Sequence, residues 1–382
     1  MLTPEDIDRE RQREAKAFAG SRYRLTVVDM GLGGAFLLAL LLTGMSVHLK
    51  GLVLAHTASP ILAVAGYFVV LSVGYGLLLL PVGYYGSFVL PHRYGLSKET
   101  RRGWLVDQVK AGAVGLVFGL VVVEVIYYLL RVTSQLWWPI AGVFLVLLAV
   151  VLANLAPVLL VPLFYKVEPL TDEDLVGRLE KLAARACTSV RGVFTIDLSS
   201  KTSAANAMLM GLGNTRRIVL GDTLYADYGP EEIESILAHE LGHHVAHDMW
   251  WGMLLQSALT FGGLYITHLA LSWATRAQVL SGLDDVAGMP LVGLVVGAFL
   301  AVTTPLGNTF SRWRESLADE YALRMAGNPR AFVSAMVRLA NQNLAEVDPE
   351  RWVEVLLYSH PAMGKRIARG ALELERTQYG RA

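Results

Sequence analysis

The chain has 382 residues, 54% of them hydrophobic and 17% charged, with 33 basic against 33 acidic side chains and a mean hydropathy of +0.44. That composition excludes an ordinary water-soluble globular protein and points to a membrane protein. Zero formal charge with no basic tract excludes nucleic acid as a partner, and a single cysteine, Cys187, excludes an internal disulfide and any cysteine-built metal site.

The first 25 residues mix acids with Arg9, Arg11, Arg13, Lys16, Arg22 and Arg24 and contain no short apolar core followed by small residues, so no removable signal peptide is expected. Charge-free runs then cover 30–49, 51–91, 132–165, 249–275 and 286–311, and the apolar run 111–130 carries only Glu124. At 1.5 Å per helical residue each can cross a hydrocarbon core of about 30 Å. They predict six spans, centred on 26–48, 62–90, 111–131, 138–163, 250–273 and 287–306. Trp137, Trp138, Trp250, Trp251 and Trp273 fall at span ends, where interfacial aromatics belong. Lys and Arg concentrate before the first span and in the loop holding Arg93, Lys98, Arg101, Arg102 and Lys110, which places both on the cytoplasmic side. Six crossings return 166–248 and the C-terminal tail to that same side.

After the fourth span, Thr171 to Asp174 reads as a capping box opening a helix to about Ala186. Strand-like runs follow at Val193–Leu198, Ala205–Met210 and Arg217–Leu220, the last two joined by Gly211-Leu212-Gly213-Asn214 as a hairpin turn. Such a small sheet offers an edge on which an extended peptide can pair. Asn206 is a candidate substrate contact there, or simply a turn residue.

Gly229-Pro230-Glu231-Glu232 then starts a helix, with Pro in the first turn and acids at the positive end of the dipole. Within it stands His239-Glu240-Leu241-Gly242-His243. Helical spacing puts the two imidazoles one turn apart on one face, able to share a Zn²⁺ ion, with Glu240 beside them as general base for an attacking water. This is the arrangement of a peptide-hydrolysing metal site. His247, a further turn along, reads as a neighbour of the site or an exposed histidine rather than a ligand. A hydrolytic zinc needs a third protein ligand, and few acids follow His243. Asp248 is too near on the same helix, and Asp284 and Asp285 fall in an outward loop. Glu315 and Asp319, one turn apart after the sixth span and sharing a face with Asn308 and Arg312, are left as ligand and as orienting partner of a bound histidine. The competing reading of that pair is a solvated helix with i,i+4 charges.

Taken in order, Ser200-Lys201 through Asn206-Ala207, Arg217-Ile218-Val219-Leu220 with Asp222-Thr223-Leu224, the HELGHH helix, Ser311-Arg312-x-x-Glu315-x-x-Ala318-Asp319 and Tyr358-Ser359-His360-Pro361 resemble the type I CAAX prenyl protease family. The likeness extends to Ala156-Pro157 and Pro162-Leu163-Phe164 and so to nearly the whole chain. It implies an integral membrane zinc endopeptidase with one Zn²⁺ on His239, His243 and Glu315, Glu240 as base and Asp319 behind the ligands. Asn206 and Ala207 would line bound substrate, with His360 and Arg366 stabilising the oxyanion or the bound peptide. The family further implies membrane helices around a chamber and, as substrate, a protein C-terminal tail, prenylated or not. Two departures stand out: the likeness begins after the first of the seven spans of eukaryotic members, near Ser21-Arg22-Tyr23, and Ala362 replaces the second Pro after His360.

The fold expected is therefore mainly α, a polytopic bundle of about six spans with a cytoplasmic zinc-peptidase domain containing a small β-sheet. Its divisions are a cytoplasmic segment 1–25, spans one to four in 26–165, the first part of the catalytic domain in 166–248, spans five and six in 249–306, and the second part in 307–382. The expected location is a multi-pass position in the membrane, plasma membrane in a prokaryote, with the site facing the cytoplasm. Two other functions fit the sequence: a membrane quality-control zinc protease, and a channel or scaffold that kept the metal site, with Glu124 and Asn154 as pathway residues.

Overall fold

The structure is a computed structural model, which describes residues 1–211 and 216–379. Six helices are long and apolar enough to cross a membrane: α1 (Arg9–Leu42), α3 (Pro60–Arg93), α4 (Arg101–Val132), α5 (Trp137–Phe164), α9 (Asp248–Arg276) and α10 (Val286–Ala326). Between α1 and α3 lies α2 (Met45–His56). Many large apolar side chains on the long helices face outward, with Leu77 65% and Val302 79% exposed. In water such surface would drive aggregation, whereas hydrocarbon accepts it, so the protein is a multi-pass membrane protein.

The first span differs from its expected bounds of 26–48. Its helix begins at Arg9 and stops at Leu42, because Gly44 takes a left-handed φ of 73° that breaks the ladder before α2. The charged N-terminal segment is thus the first turns of the span itself, and it is tied to the far end of the chain. Asp8 N donates to Asn341 Oδ1 at 3.1 Å, Arg11 Nε to Asn341 O at 3.2 Å and Gln12 Nε2 to Ala345 O at 3.1 Å. At the opposite end of the bundle, Lys50 Nζ meets Asp285 Oδ2 at 2.7 Å and joins α2 to the loop before α10. Between α3, α4, α5, α9 and α10 lies an apolar cavity, lined by Phe68, Tyr127, Trp137, Leu264 and Phe299 among others.

The remaining elements form a second layer at one end of these helices: β1 (Val167–Pro169), α6 (Glu173–Arg185), β2 (Val193–Ile196), β3 (Ala207–Met210), β4 (Arg217–Gly221), α7 (Asp222–Asp227), α8 (Pro230–Val245), α11 (Pro329–Gln342), α12 (Arg351–Leu357) and α13 (Met363–Tyr379). The cap of α6 is Asp172, whose carboxylate accepts from Leu175 N at 3.1 Å, in place of the expected Thr171. The sheet has the order β1-β2-β4-β3, with β2 and β4 parallel and the outer pairs antiparallel. β3 and β4 pair with Ala207 opposite Leu220, and β3 is left as an edge. Leu212, Gly213 and Asn214 of the expected turn lie outside the described residues.

Helix α8 is the centre of this layer. Ile233, Ile236, Leu237 and Leu241 recur at helical spacing and are buried against Leu179 and Leu182 of α6, Ile218 and Leu220 of β4, and Phe332 and Met336 of α11. Its first turn is satisfied by Glu232, which accepts from Gly229 N at 2.8 Å and from Ser334 Oγ at 2.5 Å. On its other side α8 crosses α10 at Gly242. A Cβ there would lie 3.1 Å from Ala318 Cα and 3.2 Å from Ala318 O, backbone atoms that cannot rotate away. Glycine therefore sets the interhelical distance that brings α10 under the histidines. Gly242→Val is expected to push the helices apart and to lower stability by about 1–3 kcal/mol, as overpacking does. Thermal unfolding of the two proteins in the same detergent checks this.

Candidate metal centre

His239 and His243 project from one face of α8 toward Glu315, about three turns before the end of α10. His239 Nε2 lies 3.1 Å from His243 Nε2, 3.2 Å from Glu315 Oε2, and Glu315 Oε1 lies 3.2 Å from His243 Nε2. These three form the one such group of potential metal ligands among the described residues.

The far nitrogens explain why the near ones face inward. His239 Nδ1 lies 2.9 Å from Asp319 Oδ1, and His243 Nδ1 lies 2.7 Å from Asp248 Oδ2. A carboxylate only accepts, so each Nδ1 carries a proton toward its acid, and loss of the second proton leaves each Nε2 as the atom open to a metal. Two Nε2 atoms and a carboxylate converge at 3.1–3.2 Å, an arrangement that ring protons satisfy without metal and that a single cation satisfies when it replaces them. The spacing suits one: bonds of about 2.0–2.1 Å in a tetrahedron separate ligand atoms by about 3.3 Å. Glu315 Oε2 is in addition buried with no hydrogen-bond partner among the described residues. The donor set therefore fits a divalent metal.

Burial works against charge on the ring of His243, but the hydrogen bond and charge of Glu315, with Asp248 behind, outweigh it and lift its pKa to about 9. Below that pH a metal must displace a proton, so uptake releases protons and weakens as the pH falls. His239 is raised too: its burial is outweighed by the Asp319 and Glu315 carboxylates beside its two nitrogens. Glu240 is pushed up, chiefly by burial, and lines the cavities on both sides of the cluster.

One of those cavities is bounded by Asn206 and Ala207 at the start of edge strand β3, by His239 and Glu240, and by His360 and Arg366. Asn206 is exposed, and its carbonyl accepts from Gly221 N at 2.8 Å. His360 reaches the cluster, with Nε2 3.3 Å from Glu315 Oε1. Arg366 stands differently from a free substrate contact. Its guanidinium is buried and gives Nη2 to Asp319 Oδ1 at 2.6 Å and Nε to Asp319 Oδ2 at 2.9 Å, so it braces the carboxylate behind His239. His247 lines the opposite cavity and is not part of the cluster.

Three residues to which the sequence reading gave no role shape the site, Asp248 among them after being set aside as a ligand. Asn343 brackets Ala205, giving Nδ2 to its carbonyl at 3.0 Å and accepting from its N–H at 2.8 Å, which holds the entry to β3 beside the metal helix. Asp248 and Arg314 stand behind His243. Asn343 carries no local signal. Arg314 sits next to Glu315, but nothing in the sequence pairs it with Asp248. Arg312 and Asn308, expected on the ligand face of α10, instead hold α12: Arg312 Nη1 donates to Tyr358 O at 2.6 Å and Asn308 Nδ2 to Leu356 O at 2.8 Å. They fix the segment that presents His360.

Residues 169–372 match peptidase family M48, and residues 3–166 match the CAAX prenyl protease N-terminal region, described as five membrane helices. The chain belongs to peptidase family M48. Among curated M48 relatives, an uncharacterized metalloprotease of Bacillus subtilis is 29% identical over 92% of this chain and 84% of its own length. CAAX prenyl protease 1 of Saccharomyces cerevisiae is 29% identical over 76% of this chain and 68% of its own. The crystal structure of S. mikatae Ste24p shares the fold with a TM-score of 0.84 at 23% identity, covering 97% of this chain and 91% of that one. The protein is thus a membrane-embedded metalloprotease of the M48 family, with a metal as its cofactor.

Proposed function

We propose that the metal is Zn²⁺, held by His239, His243 and Glu315, and that the protein is an endopeptidase cutting polypeptide tails at the cytoplasmic face of the membrane. The observation that carries this is the convergence of two Nε2 atoms and one carboxylate beside Glu240. When bound, zinc supplies Lewis acidity for the scissile carbonyl and for water. Glu240 takes the proton of the attacking water and returns it to the departing amine. Its burial favours the protonated form and brings its pKa nearer the working range of a group that both accepts and donates. His360, close to Glu315 at the cavity mouth, is placed to donate to the developing oxyanion. The open edge of β3 at Asn206 and Ala207 offers backbone pairing to an extended substrate. The Lys and Arg asymmetry of the loops supports the cytoplasmic side.

The substrate class is a C-terminal tail of the CAAX type. The names of the eukaryotic relatives support this, as does the apolar cavity within the bundle, where a lipid chain can be accommodated. Incubating the purified full chain with peptides ending in Cys-aliphatic-aliphatic-X, farnesylated and not, and weighing the products tests it. Cleavage that stops with a zinc chelator and returns with zinc is expected, faster for the farnesylated form. Equal rates would point to general tail or quality-control proteolysis, and no cleavage of any peptide would contradict an endopeptidase.

A further inference from the structure

The two histidines are backed by matching chains of groups. Behind His239 stand Asp319 and then Arg366. Behind His243 stand Asp248 and then Arg314. Arg314 Nε donates to Asp248 Oδ1 at 2.5 Å, its Nη2 bonds the same oxygen, and that Nη2 also donates to Ala246 O at 2.8 Å. One carboxylate oxygen is thereby reserved for arginine and the other for the imidazole. Both side chains are only 12% exposed, so water competes little for either.

The local fold explains how an acid so close in sequence comes to lie behind its histidine. Helix α8 ends at Val245, Ala246 caps it, and His247 takes a left-handed φ of 55° before α9 starts at Asp248. That break turns the carboxylate back under the last turn of α8, a position unreachable on a continuous helix. Arg314 and Glu315 are successive on α10 and so point about 100° apart. Glu315 reaches the Nε2 side of His243 and Arg314 reaches the group on its Nδ1 side.

We infer that Asp248, oriented by Arg314, is a positioning residue for the metal: it fixes the tautomer and ring angle of His243, as Asp319 and Arg366 do for His239. The inference rests on the metal-site reading above. Without Asp248 the imidazole can rotate or move its proton to Nε2, and either change removes a ligand.

The test uses the full chain in detergent. Zinc affinity is measured by competition with a chromogenic chelator, the visible spectrum is recorded after Co²⁺ substitution, and the melting temperature of the metal-free protein is followed in parallel. Asp248→Ala is expected to weaken zinc binding by about 10- to 100-fold, the range for loss of such a partner, and to alter the cobalt bands, with some loss of metal-free stability because Arg314 is left buried without its partner. Arg314→Gln, which keeps the carboxylate, should act in the same direction with a smaller loss and carries the test if Asp248→Ala does not fold. His243→Ala is the control and should lose more affinity than either. The inference is overturned if His243→Ala loses zinc while both other variants bind within twofold of wild type. It is equally overturned if they weaken binding with unchanged cobalt bands and a matching loss of metal-free stability. Wild-type affinity in His243→Ala would instead sink the metal site itself.

Discussion

Glu240→Gln is expected to lower peptidase turnover by about 10²- to 10⁴-fold, the usual contribution of a positioned general base, while the zinc content stays at the wild-type level. The substitution keeps the shape of the side chain and removes only its capacity to take a proton. Glu240 is outside the ligand cluster, so the grip of His239, His243 and Glu315 is untouched. Stability should hold or rise slightly, because an ionised carboxylate is penalised by its half-buried position more than an amide is. Turnover at saturating peptide, measured beside metal content by mass spectrometry, separates this outcome from a loss of metal. Wild-type turnover in the variant would remove Glu240 from the chemistry.

Glu315→Gln is expected to weaken metal binding by about 100- to 1000-fold. Structural zinc in small domains binds with about 10–16 kcal/mol from four ligands, so one ligand's share is roughly 3–4 kcal/mol. The variant also loses the only anion in the donor set, leaving two neutral imidazoles to hold a doubly charged ion. Isothermal titration of the metal-free proteins reads the difference, and it requires no substrate. Activity should fall in step with occupancy and recover in part at high zinc.

The spans were legible in the sequence because hydrocarbon imposes a length and a composition that no soluble helix must satisfy. Their ends were less so. The start of α1 at Arg9 is made by the Asp8 cap and tethered by long-range bonds to Asn341 and Ala345, and its stop depends on one left-handed glycine. At the site, the one-turn spacing of His239 and His243 is a property of a single helix, so periodicity brought them together, whereas Glu315 and Asp319 were singled out by the scarcity of other acids after His243 and by the family resemblance. The bracing of His243 is not such a property. It needs the chain to reverse at His247 and a second helix to deliver Arg314 from 66 residues away. The same holds for Arg366, whose buried pairing with Asp319 follows from how α13 packs on the α8–α10 layer. Single-helix patterns exposed the two histidines of the cluster; tertiary packing decided which groups orient them.

Zinc-edge anomalous diffraction from crystals of the purified protein tests the central claim most directly. One peak per molecule is predicted, within about 2.0–2.2 Å of His239 Nε2, His243 Nε2 and a Glu315 carboxylate oxygen. No peak there, or a peak from which Glu315 has turned away while another side chain completes the ligand set, would contradict it.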